Sequence, residues 1–251
     1  KYKTEVIPVD SEHFSIFELI KNENKQDIDK IYLTASGGPF VKVKKKLSSI
    51  KPKEAIKHPN WKMGKNISIN SSNLMNKIFE IIEAKKIFDL PYNKFDIIIH
   101  PQSLIHGMIK YKNGLMKLLY HTPNMAIPLS NAIFNNKILI SDLGIKDKIS
   151  ELKNLEFSKP KPNQFPSIGI LQHLSKNLYS TPIIINGANE ILVELFLQKK
   201  IKYNQITQCL FTLLKDKKYK KYAIQVPKNL NDIIKIDKWS REFVMNRYGV
   251  K

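Results

Sequence analysis

Residues 71–88, SSNLMNKIFEIIEAKKIF, carry the strongest structural signal in this 251-residue sequence. Apolar residues recur there three and four positions apart, which predicts an amphipathic helix. Asn76, Lys77 and Glu80 are spaced so that their side chains can line one side of that helix. We place Ser71 at or near the helix start, where unpaired N–H groups suit a phosphate, and Glu80 one turn further in, within reach of a metal. The alternative is a capped surface helix with a surface ion pair between Lys77 and Glu80.

Outward from this helix, apolar patterning and turn signals predict an α+β fold. We expect strands or extended segments at 10–12, 31–34, 67–69, 96–100, 105–111 and 115–120. We expect further helices at 14–20, 53–57, 127–134, 167–178, 188–199, 203–215 and 230–248. The apolar periodicity is lost between residues 135 and 166. We therefore predict a mixed-sheet domain with helices at 1–134, a linker at 135–160 and a small all-α domain at 161–251.

The net charge of +20 raises the question of an anionic partner. Only Arg241 and Arg247 are arginines, so the chain lacks the usual side chain for reading base edges. We therefore favour a solvated lysine-rich surface, with a nucleic-acid face or an electrostatic funnel for a small anionic substrate as alternatives.

Cys209 is the only cysteine, which excludes an intrachain disulfide and suggests a reducing compartment, the cytoplasm. No apolar run is long enough to predict a transmembrane helix.

Three further segments could bind ligands. In an extended segment, Asp10 and Glu12 would place both carboxylates on one side, and such hard oxygen ligands suit magnesium or manganese, although a solvated pair is the commoner outcome. The glycines after Ser36 allow a close backbone approach to an anion, although such pairs are more often simple turns. His58 begins a loop in which Trp61 could close over a ligand, and ordinary packing of Trp61 is the alternative.

Other motifs are absent or unpromising. His100 and His106 have no third soft ligand nearby, so we predict structural roles for both. The sequence contains no Gly-x-Ser-x-Gly elbow, no P-loop and no Gly-x-Gly-x-x-Gly fingerprint. These absences argue against a serine hydrolase and against a nucleotide-binding motif within these residues.

Taken together, seven motifs resemble one family over essentially the whole chain. They are Ile7–His13, Leu33–Phe40, His58–Gly64, Leu74–Lys77 with Glu80, Ile82–Ala84, Ile99–His106 and Asn186–Glu190. They are similar to the 1-deoxy-D-xylulose 5-phosphate reductoisomerases, which isomerise this sugar phosphate and reduce it with NADPH to 2-C-methyl-D-erythritol 4-phosphate in isoprenoid biosynthesis. The resemblance implies a central catalytic domain and a C-terminal helical domain, preceded by the tail end of an NADPH-binding domain. We expect the missing part of that domain to lie upstream of Lys1.

The resemblance also implies roles for individual residues. It implies a manganese or magnesium ion held by catalytic ligands Asp10, Glu12 and Glu80. It implies substrate contacts by Ser11, Glu12, Ser36, His58, Ser71, Asn76, Lys77 and Glu80. It implies a flap at 58–64 with Trp61 as its cover, and NADPH contacts at Met63 and Gly64. A homodimer is implied as well, with no nucleic-acid or membrane partner.

Two departures from the family pattern leave an alternative open. The family's acid before the serine is Asn70 here, and its glycine after Asn-Lys is Ile78, which must find room if Glu80 is to keep its aim. A diverged or truncated homologue acting as a binding or assembly module would keep the fold without turnover. For the isolated chain we expect no turnover.

Overall fold

The computed structural model describes residues 4–43, 45–145, 152, 154–174 and 178–249. The chain divides into two compact units, and each unit is built from two separate stretches. The first unit comprises 1–36 and 83–160, and the second comprises 37–82 and 161–251. Among the described helices, none combines the length and the apolar character needed to cross a membrane.

The strands are β1 Ile28–Ala35, β2 Phe95–Ile99, β3 Ile105–Tyr111 and β4 Met116–Tyr120. The α-helices are α1 Ser11–Ile20, α2 Pro52–Ala55, α3 Lys65–Ser72, α4 Met75–Phe88, α5 Ala126–Phe134, α6 Leu171–Leu174, α7 Thr181–Leu197, α8 Tyr203–Leu214, α9 Tyr219–Ala223 and α10 Leu230–Tyr248. Short 3₁₀ turns lie at Lys25–Asp27, Gly38–Phe40, Leu47–Ser49, Tyr92–Lys94, Ile140–Leu143 and Pro166–Ile170.

The first unit is organised around a four-stranded mixed sheet of order β2-β1-β3-β4. β1 pairs with β2 in parallel and with β3 antiparallel, and β3 forms an antiparallel hairpin with β4. Leu33 of β1 and Ile97 of β2 are opposite each other and buried, as expected for strands rich in branched apolar residues. Helix α1 packs on β3 at Gly107, where a Cβ would lie 3.1 Å from Ile16 Cγ1. The α+β fold class with a mixed sheet is therefore confirmed.

The C-terminal part of the second unit is helical. α7 is apolar along most of its length and packs against both α8 and α10. α7 and α10 meet closely at Gly187, where an added Cβ would lie 2.3 Å from Asp237 Oδ1 and 2.5 Å from Ser240 Oγ. Only a glycine allows this approach without movement of the facing side chains, so the sequence encodes the contact with one residue.

Three local predictions are wrong. Residues 10–12 are not extended, because Asp10 caps α1 and Ser11 begins it. Residues 67–69 are not a strand, because their alternating isoleucines lie in α3. Ser71 does not start the long helix: α3 ends at Ser72 and α4 begins at Met75.

The remaining strand and helix predictions are confirmed within a few residues, except at 188–199 and around 167–178. The helix predicted at 188–199 begins seven residues earlier, at Thr181. Around 167–178 the described part is a 3₁₀ turn followed by the short α6, and residues 175–177 lie outside the described range. In the predicted linker, 146–151 and 153 also lie outside it, while Ser158 pairs with Ile99 at the edge of β2. The predicted boundaries at 134 and 160 stay a prediction.

Candidate active site

In the first unit, the N-terminus of α1 carries the predicted carboxylates. Asp10 Oδ1 accepts the backbone N–H groups of Glu12 at 3.2 Å and His13 at 3.4 Å, so Asp10 is the helix cap. Ser11 Oγ donates to the Glu12 carboxylate. Negative charge at this end also interacts favourably with the positive end of the helix dipole. The two carboxylates are thus placed by a helix start rather than by the strand-like alternation that the sequence suggested.

His13 links this helix start to α4. Its side chain is 2% exposed, and Nδ1 lies 3.6 Å from Asp10 Oδ1 and 3.7 Å from Glu83 Oε2. Partial burial raises the pKa of Glu83, the nearby His13 opposes that rise, and Asp10 adds to it. Neither His13 nor Glu83 was predicted as a site residue. The available signal was their i+3 spacing from Asp10 and Glu80 respectively, which puts each on the same helix face as a predicted ligand.

In the second unit, α4 brings Asn76, Lys77 and Glu80 together. Lys77 Nζ lies 2.7 Å from Glu80 Oε2, and Asn76 Nδ2 donates to Glu80 Oε1. The Lys77 and Glu80 side chains are 8% and 5% exposed, so the alternative of a surface ion pair is wrong. Ile78, the departure from the family pattern, is fully buried and therefore finds its room in the core. A cation and a carboxylate held out of water on one face can act on a charged ligand with little solvent screening.

Between α3 and α4 the chain makes a tight turn. Ser71 is the next-to-last residue of α3, and its carbonyl accepts the N–H of Leu74 at 3.3 Å. Leu74 has a left-handed backbone with φ of 64°, which is unfavourable for a branched side chain. Asn73 Oδ1 accepts the Met75 N–H at 2.9 Å and so caps the start of α4. The N–H groups that open α4 therefore belong to residues after Ser71.

Ser36 ends the β1 region and is followed by two glycines. Ser36 is buried, and Gly37 and Gly38 have positive φ of 78° and 63°. An added Cβ on Gly38 would lie 2.8 Å from Ser72 Cα, a backbone atom. The glycine therefore permits direct backbone contact with the end of α3, which a larger residue would prevent.

The predicted flap leads into α3. His58 Nδ1 accepts the backbone N–H groups of Asn60 at 3.2 Å and Trp61 at 3.0 Å. In the neutral ring this leaves the proton on Nε2, which makes that nitrogen a donor. Trp61 and Met63 are half-buried, and Gly64 is exposed at the N-cap of α3. The arrangement offers a histidine donor and a large aromatic side chain on one short segment.

The other predicted histidines have structural contacts. His100 is fully buried, its Nδ1 bonds the Glu156 carbonyl at 2.9 Å, and its Nε2 accepts the Leu104 N–H at 3.1 Å. Burial lowers the pKa of His100. His106 stacks on His121 with ring centroids 3.7 Å apart, and its Nε2 bonds the His121 carbonyl. The prediction of structural roles for His100 and His106 agrees with these contacts.

Two family models match the chain. One describes the 1-deoxy-D-xylulose 5-phosphate reductoisomerase C-terminal domain and covers residues 6–88, and the other describes the DXP reductoisomerase C-terminal domain and covers residues 121–243. The fold and these matches define the C-terminal portion of a reductoisomerase. The chain belongs to the 1-deoxy-D-xylulose 5-phosphate reductoisomerase family.

Curated relatives of that name extend over nearly the whole chain. The protein from Pelagibacter ubique is 47% identical over 93% of this chain and 60% of its own length. The protein from Desulforamulus reducens is 39% identical over 96% of this chain and 61% of its own length. The chain thus spans about three fifths of the length of these relatives.

Solved structures agree in fold. A DOX-P reductoisomerase in complex with NADPH, fosmidomycin and magnesium aligns with a TM-score of 0.88 at 31% identity, over 97% of this chain and 63% of the other. The 1-deoxy-D-xylulose 5-phosphate reductoisomerase from Zymomonas mobilis in complex with NADPH aligns with a TM-score of 0.84 at 31% identity, over 96% and 61%.

Proposed function

We propose that this chain supplies the metal- and substrate-binding part of a reductoisomerase. The intact protein would isomerise 1-deoxy-D-xylulose 5-phosphate and reduce the product with NADPH to 2-C-methyl-D-erythritol 4-phosphate. The observation that carries this proposal is the buried cluster on α4, in which Glu80 binds both Lys77 and Asn76. Its residue types match an anionic substrate, and the family match and the NADPH and magnesium of the related structures support the rest.

Asp10, Glu12 and Glu80 are the proposed ligands of a divalent cation, magnesium or manganese. Their donor set fits such an ion because all three are carboxylates, the hard oxygen ligands that both metals prefer. A divalent cation held by these carboxylates would supply Lewis-acid polarisation of a substrate carbonyl.

The remaining residues have proposed roles in binding and orientation. Ser11 and Glu12 would contact the oxygens along the substrate carbon chain. Donors to the phosphate would be the groups on the turn, α4, the flap and the end of β1: Ser36, His58, Ser71, Asn76 and Lys77. Binding energy from a phosphate remote from the reacting carbons can hold the substrate in its reactive geometry.

The flap at 58–64 has a proposed protective role. Trp61 would cover the bound substrate, and Met63 and Gly64 would contact NADPH. An aldehyde intermediate reacts with water and can escape, so exclusion of solvent until hydride transfer serves the reaction.

We also propose a homodimer in the cytoplasm. The resemblance supports the homodimer, and the single, buried thiol of Cys209 supports a reducing compartment.

Calorimetric titration tests the metal and substrate assignments together. The chain is titrated with 1-deoxy-D-xylulose 5-phosphate, with and without manganese, beside Glu80→Gln and the control Glu194→Gln. Glu194 lies on α7, where its exposed carboxylate accepts a hydrogen bond from the Gln198 side chain at 2.9 Å. We expect binding that requires manganese, survives in the control and is lost in Glu80→Gln. Metal-independent binding that persists in Glu80→Gln would reject the ligand assignment.

A further inference from the structure

The turn between α3 and α4, residues 70–74, is held from outside by side chains of α7, α8 and the 3₁₀ turn Pro166–Ile170. Three hydrogen bonds reach it: Asn189 Nδ2 to Asn70 Oδ1 at 3.0 Å, Tyr203 Oη to Ser72 Oγ at 2.9 Å, and Ser167 Oγ to the Asn73 carbonyl. We call Ser167, Asn189 and Tyr203 the anchor residues. Each of the three is at most 5% exposed. The bonds made by Tyr203 and Ser167 are buried away from competing water, and the bond from Asn189 to Asn70 is partly buried.

The Tyr203 bond has a defined direction. Ser72 Oγ donates its single hydrogen to the Ile69 carbonyl at 2.7 Å, so Tyr203 must be the donor to Ser72 Oγ. Burial raises the pKa of Tyr203, which keeps the phenol protonated and able to donate. Its ring also packs edge-on against Phe40 and Phe196, which fixes the position of the hydroxyl.

The turn needs such support because its backbone is strained. Leu74 adopts a left-handed conformation with its side chain fully buried. A backbone of this kind persists only where the surroundings determine it, and such residues cluster at ligand sites. On its other side the turn is limited by Gly38, whose backbone lies against Ser72. Ser71 is inside this segment, and Asn76 and Lys77 follow it directly on α4.

We infer that Ser167, Asn189 and Tyr203 are positioning residues, which hold the α3–α4 turn in the conformation that binds the substrate phosphate. This inference rests on the proposed function, because Ser71, Asn76 and Lys77 are phosphate donors only under that proposal. The C-terminal helices would then act on substrate affinity through the turn, without touching the substrate themselves. The C-terminal helices would thus contribute to substrate binding as well as to the fold.

The test compares two ligands that differ only in the phosphate. Dissociation constants are measured by calorimetry, with manganese, for 1-deoxy-D-xylulose 5-phosphate and for 1-deoxy-D-xylulose. The variants are Tyr203→Phe and Ser167→Ala, which each remove one oxygen, and Asn189→Leu. The matched control is Tyr219→Phe, which removes a buried phenol hydroxyl that bonds Thr181 Oγ1 at 2.7 Å elsewhere in the same unit. Thermal melting of each variant checks that it is folded.

For Tyr203→Phe we expect the dissociation constant of the phosphate ester to rise about fivefold, the equivalent of one net hydrogen bond. The constant for the phosphate-free sugar should stay within about twofold of wild type, and Tyr219→Phe should change neither value. A loss shared equally by both ligands, or no loss in folded variants, would overturn the inference. If the wild-type chain itself fails to bind the phosphate ester, the proposed function fails first and the inference falls with it.

Discussion

Replacing Lys77 with methionine should destabilise the second unit strongly, because it leaves the carboxylate of Glu80 buried without its cation. The pair is 2.7 Å apart, with side chains 8% and 5% exposed. Removing one partner of such a pair typically costs about 3–5 kcal/mol, since the remaining charge stays desolvated. Even the lower value corresponds to a fall in melting temperature of about 6–12 °C for a chain of this size.

Urea unfolding followed by tryptophan fluorescence suits the measurement, because Trp61 and Trp239 both lie in the second unit. The matched control is Lys238→Met, which breaks a Lys–Glu pair on α10 at 3.8 Å with side chains 73% and 49% exposed. We expect that control to change the unfolding free energy by less than about 1 kcal/mol. The double variant Lys77→Met/Glu80→Gln should recover part of the loss. If Lys77→Met lowers the unfolding free energy no more than Lys238→Met does, burial does not determine the contribution of this ion pair to stability and the reasoning is refuted.

Three further predictions concern packing and pH. Gly187→Ala should lower the unfolding free energy by about 1–3 kcal/mol, because its Cβ would lie 2.3 Å from Asp237 Oδ1; an unchanged urea midpoint would show that the helices adjust freely. Gly38→Ala should lower the unfolding free energy at least as much, because the Cβ would lie 2.8 Å from the Ser72 backbone and φ is +63°. It should also weaken substrate binding in calorimetry. Wild-type affinity in this variant would contradict the prediction. Burial lowers the pKa of His100 in the folded chain, so the unfolded chain takes up this proton at a higher pH and stability should fall as the pH drops below about 6.5. The urea midpoint should therefore depend less on pH in His100→Gln than in wild type. An identical pH dependence in the two proteins would exclude this histidine as the cause.

The sequence was most informative where a long periodic pattern and local chemistry agree. α4 and α10 have apolar stripes over several turns, and both were located within a few residues of their true bounds. The segment 65–72 misled because Ile67 and Ile69 alternate as in a strand, while its helix is stabilised by contacts distant in sequence, such as Ser72 with Tyr203. The local pattern of apolar and polar residues cannot indicate partners that are distant in sequence.

The site shows the same division. The residue types and their order could be recognised from motifs, but their environment could not. The Lys77–Glu80 spacing predicted an ion pair and gave no indication that both charges are buried. The break between α3 and α4 uses Leu74 at a positive φ, where sequence reasoning expects glycine or asparagine. Ser71 was therefore assigned to the wrong helix.

The division of each compact unit between two distant stretches of chain has a consequence for synthesis on the ribosome. The sheet of the first unit can form once β4, ending at Tyr120, has emerged, because all four strands are then available. The turn at 70–74 must wait much longer, since Ser167, Asn189 and Tyr203 are translated roughly a hundred residues or more after it. During that interval the turn lacks these three hydrogen bonds, so the left-handed backbone at Leu74 is without its native support in the nascent chain.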